Sequence, residues 1–471
     1  MTRFVLHRNL RLRNRLTASP AALLLLIFSL RLSAQKIETS SHRPELPQHP
    51  LTLQDCIAIA LGESSKLEAS RFDLLAAGEE IRAARASLWP SLTGSATGEA
   101  FSGRNAGRFA LVSTTTTGEG VNANRKVDLA GIGIFGLRLN YPIFQDGSIF
   151  GLNDAPTVEV KRAQRNALAW TTHLSREEVV YRITEAFVAA VSAQNRVQPI
   201  EHRVDLLQRS LGITKEEQQN GLLLPIDVKV VSEQLSAAQS LSKAIHEKAV
   251  AGSLALNKLL GLPPSSHVRL VNTLPEPPEP PSAAQLLGRL LTLHPSLQVQ
   301  RANIEKAKQD YRLERFRLYP SVALHGSALD VSDFENDAHL LIGGITVNVP
   351  IFDFGAQSAT VRARKDTYSA EQARLGAVGD DLASEIVGIY EQIYASSEAI
   401  LRLQTELGKL DRDLRVAQSQ QQQGITQPLT AIDAELALVA KHDELDVVQT
   451  RRLLLYASLQ KATGGAWKWI P

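Results

Sequence analysis

A nine-residue stretch occurs twice in this chain and limits what the chain can fold into. Leu139–Gly147 reads LNYPIFQDG and Val347–Gly355 reads VNVPIFDFG. Each copy ends an alternating run of residues and precedes a very long helix-forming run. The flanking motifs correspond too: Trp89-Pro90-Ser91 with Tyr319-Pro320-Ser321, Gly221 and Pro225 with Gly424 and Pro428, and Leu260-Gly261 with Thr463-Gly464. The chain therefore consists of two copies of one helix–strand–strand–helix–helix unit.

The duplication predicts the domain organisation of the chain. Repeat one is residues 51–262, and repeat two is residues 282–471. Residues 263–281 join them as a Pro-rich linker, whose closely spaced prolines favour a stiff, extended backbone. A Pro-rich leader, residues 35–50, precedes repeat one.

Residues 1–34 have the pattern of a secretory signal peptide. Several arginines form a basic n-region, and Ala21–Leu30 forms an apolar h-region that is too short to span a bilayer as a helix. Ser33 and Ala34 supply the small residues before a cut at Gln35. An uncleaved membrane anchor is the alternative, and Arg31 at the end of the apolar run argues against it.

Composition excludes several classes of function. The net charge of +2 gives no reason to expect nucleic acid or another polyanion as a partner. The single cysteine, Cys56, excludes an intrachain disulfide and a Cys-based zinc site, and its apolar neighbours predict a buried side chain. No nucleophile-elbow, zinc-protease or phosphate-loop motif is present, and the 11 histidines lack metal-ligand spacing. We therefore predict neither an enzyme nor a bound cofactor or metal.

Short alternating runs predict a pair of strands in each repeat. In repeat one the runs are about 91–100 and 135–141, and a polar, Gly- and Thr-rich loop at about 101–130 separates them. The pair in repeat two covers about 321–328 and 344–349. Arg138 and Asn140 alternate with apolar residues and would be costly facing lipid, so the apolar alternates are predicted to face outward. A surface β-hairpin is the alternative to a membrane strand.

Heptad spacing in the long helical runs predicts coiled-coil packing. Apolar or small residues recur at steps of three and four through Ile183, Ala186, Ala190, Ala193, Val197, Ile200, Val204, Leu207 and Leu211, and again through Ile386, Ile389, Ile393, Ser396, Ile400, Leu403, Leu407, Leu410 and Leu414. Pro199 interrupts the first series and should kink that helix locally. The long helix at about 158–220 would be matched by two shorter helices placed end to end, at about 52–88 and 226–260.

The chain resembles the outer-membrane efflux protein family typified by TolC. The resemblance covers the whole mature chain and rests on the duplicated strand–Pro-Ile-Phe–helix junctions, the Leu51-Thr52-Leu53 start and the turns after Gly221 and Gly424. It implies a mixed α/β membrane protein: a homotrimer whose 12-stranded β-barrel continues into a long periplasmic coiled-coil α-barrel. The implied location is the outer membrane, and the implied role is the exit duct of a tripartite efflux pump or type I secretion system. The implied partners are a periplasmic adaptor and an inner-membrane pump.

Strand number supports part of this implication independently. Outside the signal peptide, no run of 18 or more apolar residues occurs, so entry into a membrane would have to be by strands. Four strands cannot close a barrel around water, because about eight already give an interior filled by side chains. Several chains would therefore have to pool their strands, and three would give twelve.

The resemblance also assigns roles to particular residues. The tips that would meet the adaptor are Gly221, Leu222, Pro225 and Asp227 in repeat one, and Gly424, Ile425, Thr426 and Pro428 in repeat two. The strand–helix junctions are Pro142, Phe144 and Gly147, and Pro350, Phe352 and Gly355. The aperture would be closed near Thr430 and Asp433. The family often has Asp six and nine residues past the tip glycine, and Thr430 stands at the first of these positions in repeat two.

Two other classes share the heptads. One is a periplasmic coiled-coil adaptor or chaperone-like hairpin without membrane strands, and the other is a secreted structural coiled coil. The duplicated junctions argue against the second. Only the duct would need detergent for extraction from the outer membrane.

Overall fold

Helices and antiparallel strands follow one another in the same order in both halves of the chain. The computed structural model describes residues 49–102, 129–333 and 337–469, all within one unit that spans Pro44–Pro471. The predicted signal peptide, the leader as far as residue 48 and the polar loop at 103–128 lie outside the described residues.

The two repeats contain the following elements. Repeat one has α1 (Leu53–Glu63), α2 (Ser65–Ala86), β1 (Ser91–Ser102), β2 (Leu129–Gln145), β3 (Ser148–Ile149), α3 (Pro156–Gln219) and α4 (Pro225–Leu259). Repeat two has α5 (Ala283–Leu293), α6 (Pro295–Phe316), β4 (Ser321–Asp333), β5 (Asp337–Asn348), α7 (Ala356–Gln422) and α8 (Pro428–Ala462). The strands extend beyond the predicted runs, and β2 begins within the stretch predicted to be loop.

The prediction of one helix at 52–88 is wrong, because the chain breaks at Ser64. Ser64 has an extended backbone (φ −70°, ψ 105°), and its hydroxyl accepts a hydrogen bond from Leu67 N at 3.4 Å, so it ends α1 and caps α2. His294 is the matching residue in repeat two and separates α5 from α6 in the same way. The predicted start is confirmed: Thr52 and Asp55 form a reciprocal capping box.

His294 is buried at this break and is held as a neutral ring. Its Nε2 lies 3.0 Å from the carbonyl oxygen of Ala462, and its Nδ1 accepts the Ser296 N–H at 3.1 Å. Since the carbonyl can only accept, Nε2 carries the proton and Nδ1 has none. Burial lowers the pKa of His294, and the hydrogen bond to Ala462 offsets this only in part.

This arrangement predicts a pH-dependent contact. The folded state binds fewer protons at His294 than the unfolded state does, so the contact is fully stable above the unfolded pKa of about 6.5 and weakens as the pH falls below it. His294→Ser, which copies Ser64, should keep the cap and remove this pH dependence. Hydrogen exchange of the α5 and α6 amides at pH 7.5 and 5.5, corrected for intrinsic rates, measures it. Equal acid sensitivity in both proteins would contradict the assignment.

The four long strands form one antiparallel sheet in the order β1-β2-β4-β5, and β3 pairs with the end of β2. The pairing of β2 with β4 joins the two repeats through twelve register positions, from Ile132 opposite Asp333 to Phe144 opposite Val322. A bulge between Pro142 and Phe144 shifts this register near its end, where the proline has no N–H to donate. Among the described strands, β1 and β5 each have one long partner, so the sheet has two open edges.

The long helices are the frame on which the shorter helices pack. α3 would be about 96 Å long at ~1.5 Å per residue, and it contacts α1, α2, α4, α6 and α8. α7 contacts α5, α6 and α8. Every residue of the predicted heptad series is buried or half-buried, so the coiled-coil face is confirmed. α3 runs continuously through Pro199.

Two matching clusters form the core where the short helices meet the long ones. In repeat one Cys56 and Leu256 pack with Ile183, and in repeat two Leu286 and Leu459 pack with Ile386. Cys56 is fully buried and stands at the position that Leu286 occupies in repeat two. The prediction of a buried, small apolar residue is thereby confirmed. Trp469 packs against both clusters and so ties the repeats together.

The linker lies against the start of repeat one. Leu51 N donates to the carbonyl of Arg269 at 2.7 Å, and Val271 N donates back to the carbonyl of Leu51 at 3.1 Å. Leu274 then packs on the repeat-one core. Within the part of the chain that the structure describes, no helix has the length and apolar character needed to cross a membrane.

Candidate functional site

The two faces of the sheet differ in chemistry. Residues directly opposite one another in an antiparallel ladder point to the same side. Leu137 lies opposite Gly94 and Ala328, and its neighbours on the same face include Leu139, Tyr141, Leu92, Leu324 and Ile345. The other face carries Ser91, Thr93, Ser95, Arg138, Asn140, His325, Ser327, Thr346 and Asn348. The predicted separation of apolar from polar alternates therefore holds for the rows of the sheet nearest the helices. Farther along the strands, Leu340 and Ile342 lie on the polar face, and Asp330 and His339 lie opposite one another on the apolar face.

Polar groups on the second face bond to one another rather than to a core. Thr346 Oγ1 lies 3.0 Å from His325 Nδ1 across neighbouring strands. At the helical end of the sheet this face opens on a recess of about 950 Å³, with Asn140, Thr346 and Asn348 among its lining residues. Such a face suits contact with water, and the apolar face suits contact with lipid.

The two junctions share a backbone turn and differ in the segment that comes next. Asp146 and Gly147 have φ values of 52° and 84°, and Phe354 and Gly355 have 53° and 86°. In repeat one the turn closes the β2–β3 hairpin, and α3 begins only at Pro156. In repeat two α7 begins directly after Gly355. The carboxylate of Asp353 there accepts the N–H groups of Gly355 at 3.0 Å and Gln357 at 2.7 Å, and so caps α7.

Both tip glycines have a left-handed backbone, which glycine adopts without strain. We call Gly221–Asp227 the repeat-one tip and Gly424–Thr430 the repeat-two tip. The φ values are 77° at Gly221 and 72° at Gly424. In each case the following residue donates its N–H to a carbonyl five residues back: Leu222 to Glu217 at 2.8 Å, and Ile425 to Gln420 at 2.9 Å. Both long helices therefore end in a Schellman motif.

Apolar side chains are exposed at the tips. Leu222 and Ile425 occupy matching positions, and each is about two-thirds exposed. Leu224 and Ile226 add to this surface in repeat one. A Schellman motif normally buries an apolar residue next to the glycine, so exposure of these side chains marks the tips as surfaces available to a partner.

The two tips are not chemically equivalent. Asp227 accepts the N–H of Leu224 at 2.9 Å, so its carboxylate caps α4. Thr430 stands at the matching position of repeat two and is exposed. Pro225 and Pro428 each begin the next helix. The Thr426 hydroxyl is buried with no hydrogen-bond partner among the described residues.

Asp433 lies one turn beyond Thr430 on α8. Its side chain is exposed, yet nearby protein atoms desolvate the carboxylate and raise its pKa. No ion pair holds Asp433 within the described residues. The ring of charge that the resemblance implies would require further copies of the chain, so the gate role of Thr430 and Asp433 stays a prediction.

Polar side-chain contacts between α3 and α8 were not predicted from the sequence. Arg196 binds Asp443 through two contacts of 2.6 and 2.9 Å, and His202 Nε2 lies 2.8 Å from Glu435 Oε1. The residue numbers fall along α3 as they rise along α8, so the helices are antiparallel. These contacts fix the first helix of one hairpin against the second helix of the other, about midway between the sheet and the tips.

The described residues give no sign of a metal centre. Within residues 49–102, 129–333 and 337–469, no group of three His, Cys, Asp or Glu residues is placed to hold a metal ion. The geometry offers instead a two-faced sheet continued by long helical hairpins with exposed apolar tips.

Comparison with known proteins agrees with this class of structure. The profile of the outer membrane efflux protein family matches residues 56–262 and 286–465. The toluene efflux pump outer membrane protein TtgC of Pseudomonas putida is 24% identical over 446 residues, covering 89% of this chain and 84% of TtgC. Protein CyaE of Bordetella pertussis is 24% identical over 368 residues, covering 75% of this chain and 72% of CyaE. The crystal structure of the CmeC outer membrane channel of Campylobacter jejuni superposes with a TM-score of 0.71 at 15% identity, covering 89% and 87%.

A duplicated, helix-rich chain with one four-stranded antiparallel sheet is the protomer fold of TolC-like channel proteins. The chain belongs to the outer membrane efflux protein family, since the profile matches both repeats. The predicted family and outer-membrane location are thereby confirmed. The family consists of channel proteins rather than enzymes.

Proposed function

We propose that this protein is the exit duct of a tripartite efflux pump or type I secretion system, a passive path for small molecules or proteins across the periplasm and outer membrane. The observation that carries the proposal is the two-faced sheet that continues into long helical hairpins. A strand bundle with one apolar and one polar face gives a lipid surface and a water-lined interior. Helices of about 96 Å extend that interior far beyond the thickness of a membrane.

Open strand edges support an oligomer. The outer edges of β1 and β5 have unpaired backbone groups in a single chain, and unpaired groups in lipid cost several kcal/mol each. Pairing β5 of one copy with β1 of the next removes both edges. Three copies would give a homotrimer with a 12-stranded barrel, wide enough for a lumen because about eight strands are already filled by side chains.

The tips support a partner at the other end of the duct. The exposed Leu222 and Ile425 side chains, on rigid Schellman turns, present an apolar surface at the ends of the helical hairpins. We assign this surface to a periplasmic adaptor, which would connect the duct to an inner-membrane pump. TtgC is named as a component of an efflux pump, which supports the same assignment. We assign selection of the cargo to the pump.

Asp433 would then line the closed aperture as a ring of three carboxylates. Asp433→Ala should raise ion conductance of the protein in planar lipid bilayers, because three converging carboxylates narrow the path and retain cations. Since the pKa of Asp433 is raised, mild acidification should protonate its carboxylate and so raise the conductance of the wild-type protein as well.

The matched control is Asp413→Ala, which removes the same charge from an exposed position on α7. Channels in the wild type, with increased conductance only in Asp433→Ala, would support both the duct and its gate. Equal conductance in all three proteins would remove the gate role. Absence of any channel activity in purified wild-type protein would contradict the duct.

A further inference from the structure

The two junctions have the same backbone turn, but only one of them is covered. In repeat one Pro142 is buried, and Phe144 and Asp146 are half-buried. In repeat two the corresponding Phe352 is 75% exposed and Phe354 is 92% exposed. Their rings lie 4.6 Å apart, centroid to centroid. The planes of the two rings are tilted by 57°, and two large aromatic side chains this exposed leave a sizeable apolar surface in contact with water.

The cover on the repeat-one junction comes from repeat two. Val322 at the start of β4 lies opposite Phe144 in the ladder. The ring of Phe316, at the end of α6, lies against Gly147 so closely that a Cβ on the glycine would be 2.7 Å from it. At Gly355, by contrast, a Cβ would meet nothing within 4 Å.

The duplication identifies the residues that would cover the repeat-two junction. Aligning Trp89-Pro90-Ser91 with Tyr319-Pro320-Ser321 places Ala86 at the position of Phe316 and Leu92 at that of Val322. Ala86 is exposed at the end of α2, and Leu92 is 67% exposed on β1. Both lie on the open β1 side of the sheet, whereas Phe354 follows the open β5 side. The chain thus carries both halves of a second junction contact on opposite sides.

We propose that Phe352 and Phe354 of one protomer pack on Leu92 and Ala86 of a second copy of this chain, repeating between chains the contact that joins its own two repeats. The inference rests on the proposed pooling of strands and specifies the residues that lock each pair of neighbours at the base of the sheet. The partner is a second copy because that copy offers the same helix–turn–strand surface in the matching position.

Strand register agrees with this assignment. Transferring the β2–β4 register to β5 and the next copy's β1 places Val347 opposite Ala96 and Asn348 opposite Ser95. Val347 and Ala96 both belong to the apolar face, and Asn348 and Ser95 both belong to the polar face. A shift by one residue would have placed apolar against polar alternates. The transferred register instead continues both faces across the interface.

Side-chain sizes are exchanged between the two contacts. Within the chain the small side is Asp146-Gly147 and the large side is Phe316. Between chains the large side would be Phe354 and the small side Ala86. The charges differ in the same way. Within the chain the positive Arg317 guanidinium attracts the negative Asp146 carboxylate. Between chains the uncharged Ser87, which stands at the position of Arg317, would face the uncharged Phe354. Each contact therefore combines one large and one small partner, as close packing requires.

The size exchange gives a direct test with paired variants. Ala86→Phe alone would place two large rings together and should lower the ratio of trimer to monomer in detergent by roughly tenfold or more. Phe354→Asp alone should lower it less, because it removes a contact without adding a clash. The double variant recreates the Asp146 and Phe316 combination and should recover most of the wild-type ratio. Both positions are exposed in the single chain, and unchanged far-ultraviolet circular dichroism would verify folding.

Disulfide trapping gives a second measurement that does not depend on a clash. Phe354→Cys with Ala86→Cys should form covalent dimers and trimers on mild oxidation, since a disulfide requires Cα atoms within about 7 Å. Phe354→Cys with Ala84→Cys is the control, because Ala84 packs toward α3 on the opposite side of α2. Burial raises the pKa of the native Cys56 to about 12, so it will not compete.

The outcomes separate this contact from the proposed duct. Suppose that the wild-type protein is a trimer. An unchanged trimer-to-monomer ratio in Ala86→Phe would then overturn the contact and leave the pooled barrel intact. No recovery of that ratio in the double variant, together with no disulfide between positions 354 and 86, would do the same. A wild-type protein that is monomeric in detergent and never crosslinks would overturn the pooled barrel and, with it, this contact.

Discussion

Leu137→Arg should prevent insertion of this protein into the outer membrane, whereas Arg138→Leu should be tolerated. Leu137 is half-exposed on the apolar face, at the middle of the sheet between Gly94 and Ala328. An arginine on a lipid-facing strand position costs roughly 2–4 kcal/mol near the bilayer midplane, and each copy in the oligomer would bear that cost. Detergent-extracted outer-membrane fractions, probed for the full-length protein, measure the effect.

Arg138→Leu is the matched control for Leu137→Arg. Arg138 is one position along the same strand and lies on the polar face between Thr93 and Ser327. A leucine there loses a charge from the water-lined side, where substitutions alter selectivity more than insertion. Equal loss of both variants from the membrane would show that the strand is sensitive for reasons other than lipid contact. Normal insertion of Leu137→Arg would contradict the orientation of the sheet.

Gly424→Leu should abolish export while leaving assembly intact. Gly424 has a φ of 72°, and a non-glycine residue in the left-handed region costs roughly 1–2 kcal/mol. Relief of that strain would open the Schellman turn and displace Ile425, the exposed apolar residue assigned to adaptor docking. The local cost is small for an assembly held by two core clusters and a sheet. Export of a pump substrate by living cells, together with the yield of oligomer in detergent, measures both effects.

Gly408→Leu is the control for this variant. Gly408 lies within α7, the helix that ends just before Gly424, has an ordinary helical φ, and has open space where a Cβ would be placed. Leucine should be tolerated there and should improve local helix propensity by up to about 1 kcal/mol. Export defects in both variants would implicate helix packing rather than the tip. Loss of oligomer in Gly424→Leu would make the glycine a folding residue and remove the docking interpretation.

Duplication made much of the fold predictable from this sequence. The heptad series predicted the buried faces of α3 and α7, and the duplicated glycine and proline positions marked the turns after Gly221 and Gly424. Alternation placed Leu137 and Arg138 on opposite faces. These features depend on local periodicity and backbone sterics, which the residues themselves carry.

The errors arose where one repeat gave a weaker signal than the other. His294-Pro295 is a clear helix boundary, because a residue before proline avoids the helical region. Ser64 lies at the matching position but is followed by no proline, so the helix pattern continues through it. Transferring the helix boundary of repeat two to repeat one would have predicted the break at Ser64. The Asp146-Gly147 dipeptide was likewise a hairpin signal, and the short strand β3 follows it.

Contacts between distant parts of the chain could not be predicted. Arg196 and Asp443 are 247 residues apart, and nothing in their local sequences distinguishes them from other charged residues on helical faces. The difference between the covered Phe144 and the exposed Phe352 was also hidden, because both follow the same Pro-Ile motif. Cover depends on which surface lies beside each junction, and that surface belongs to another repeat or another copy.

The subunit count of the membrane-extracted protein tests the central claim most directly. The claim is that open sheets from separate chains pool their strands around one lumen. The detergent-corrected mass of the protein purified from outer membranes should equal three chains. A stable, membrane-inserted monomer would contradict it, because a four-stranded sheet with two open edges cannot remain in lipid.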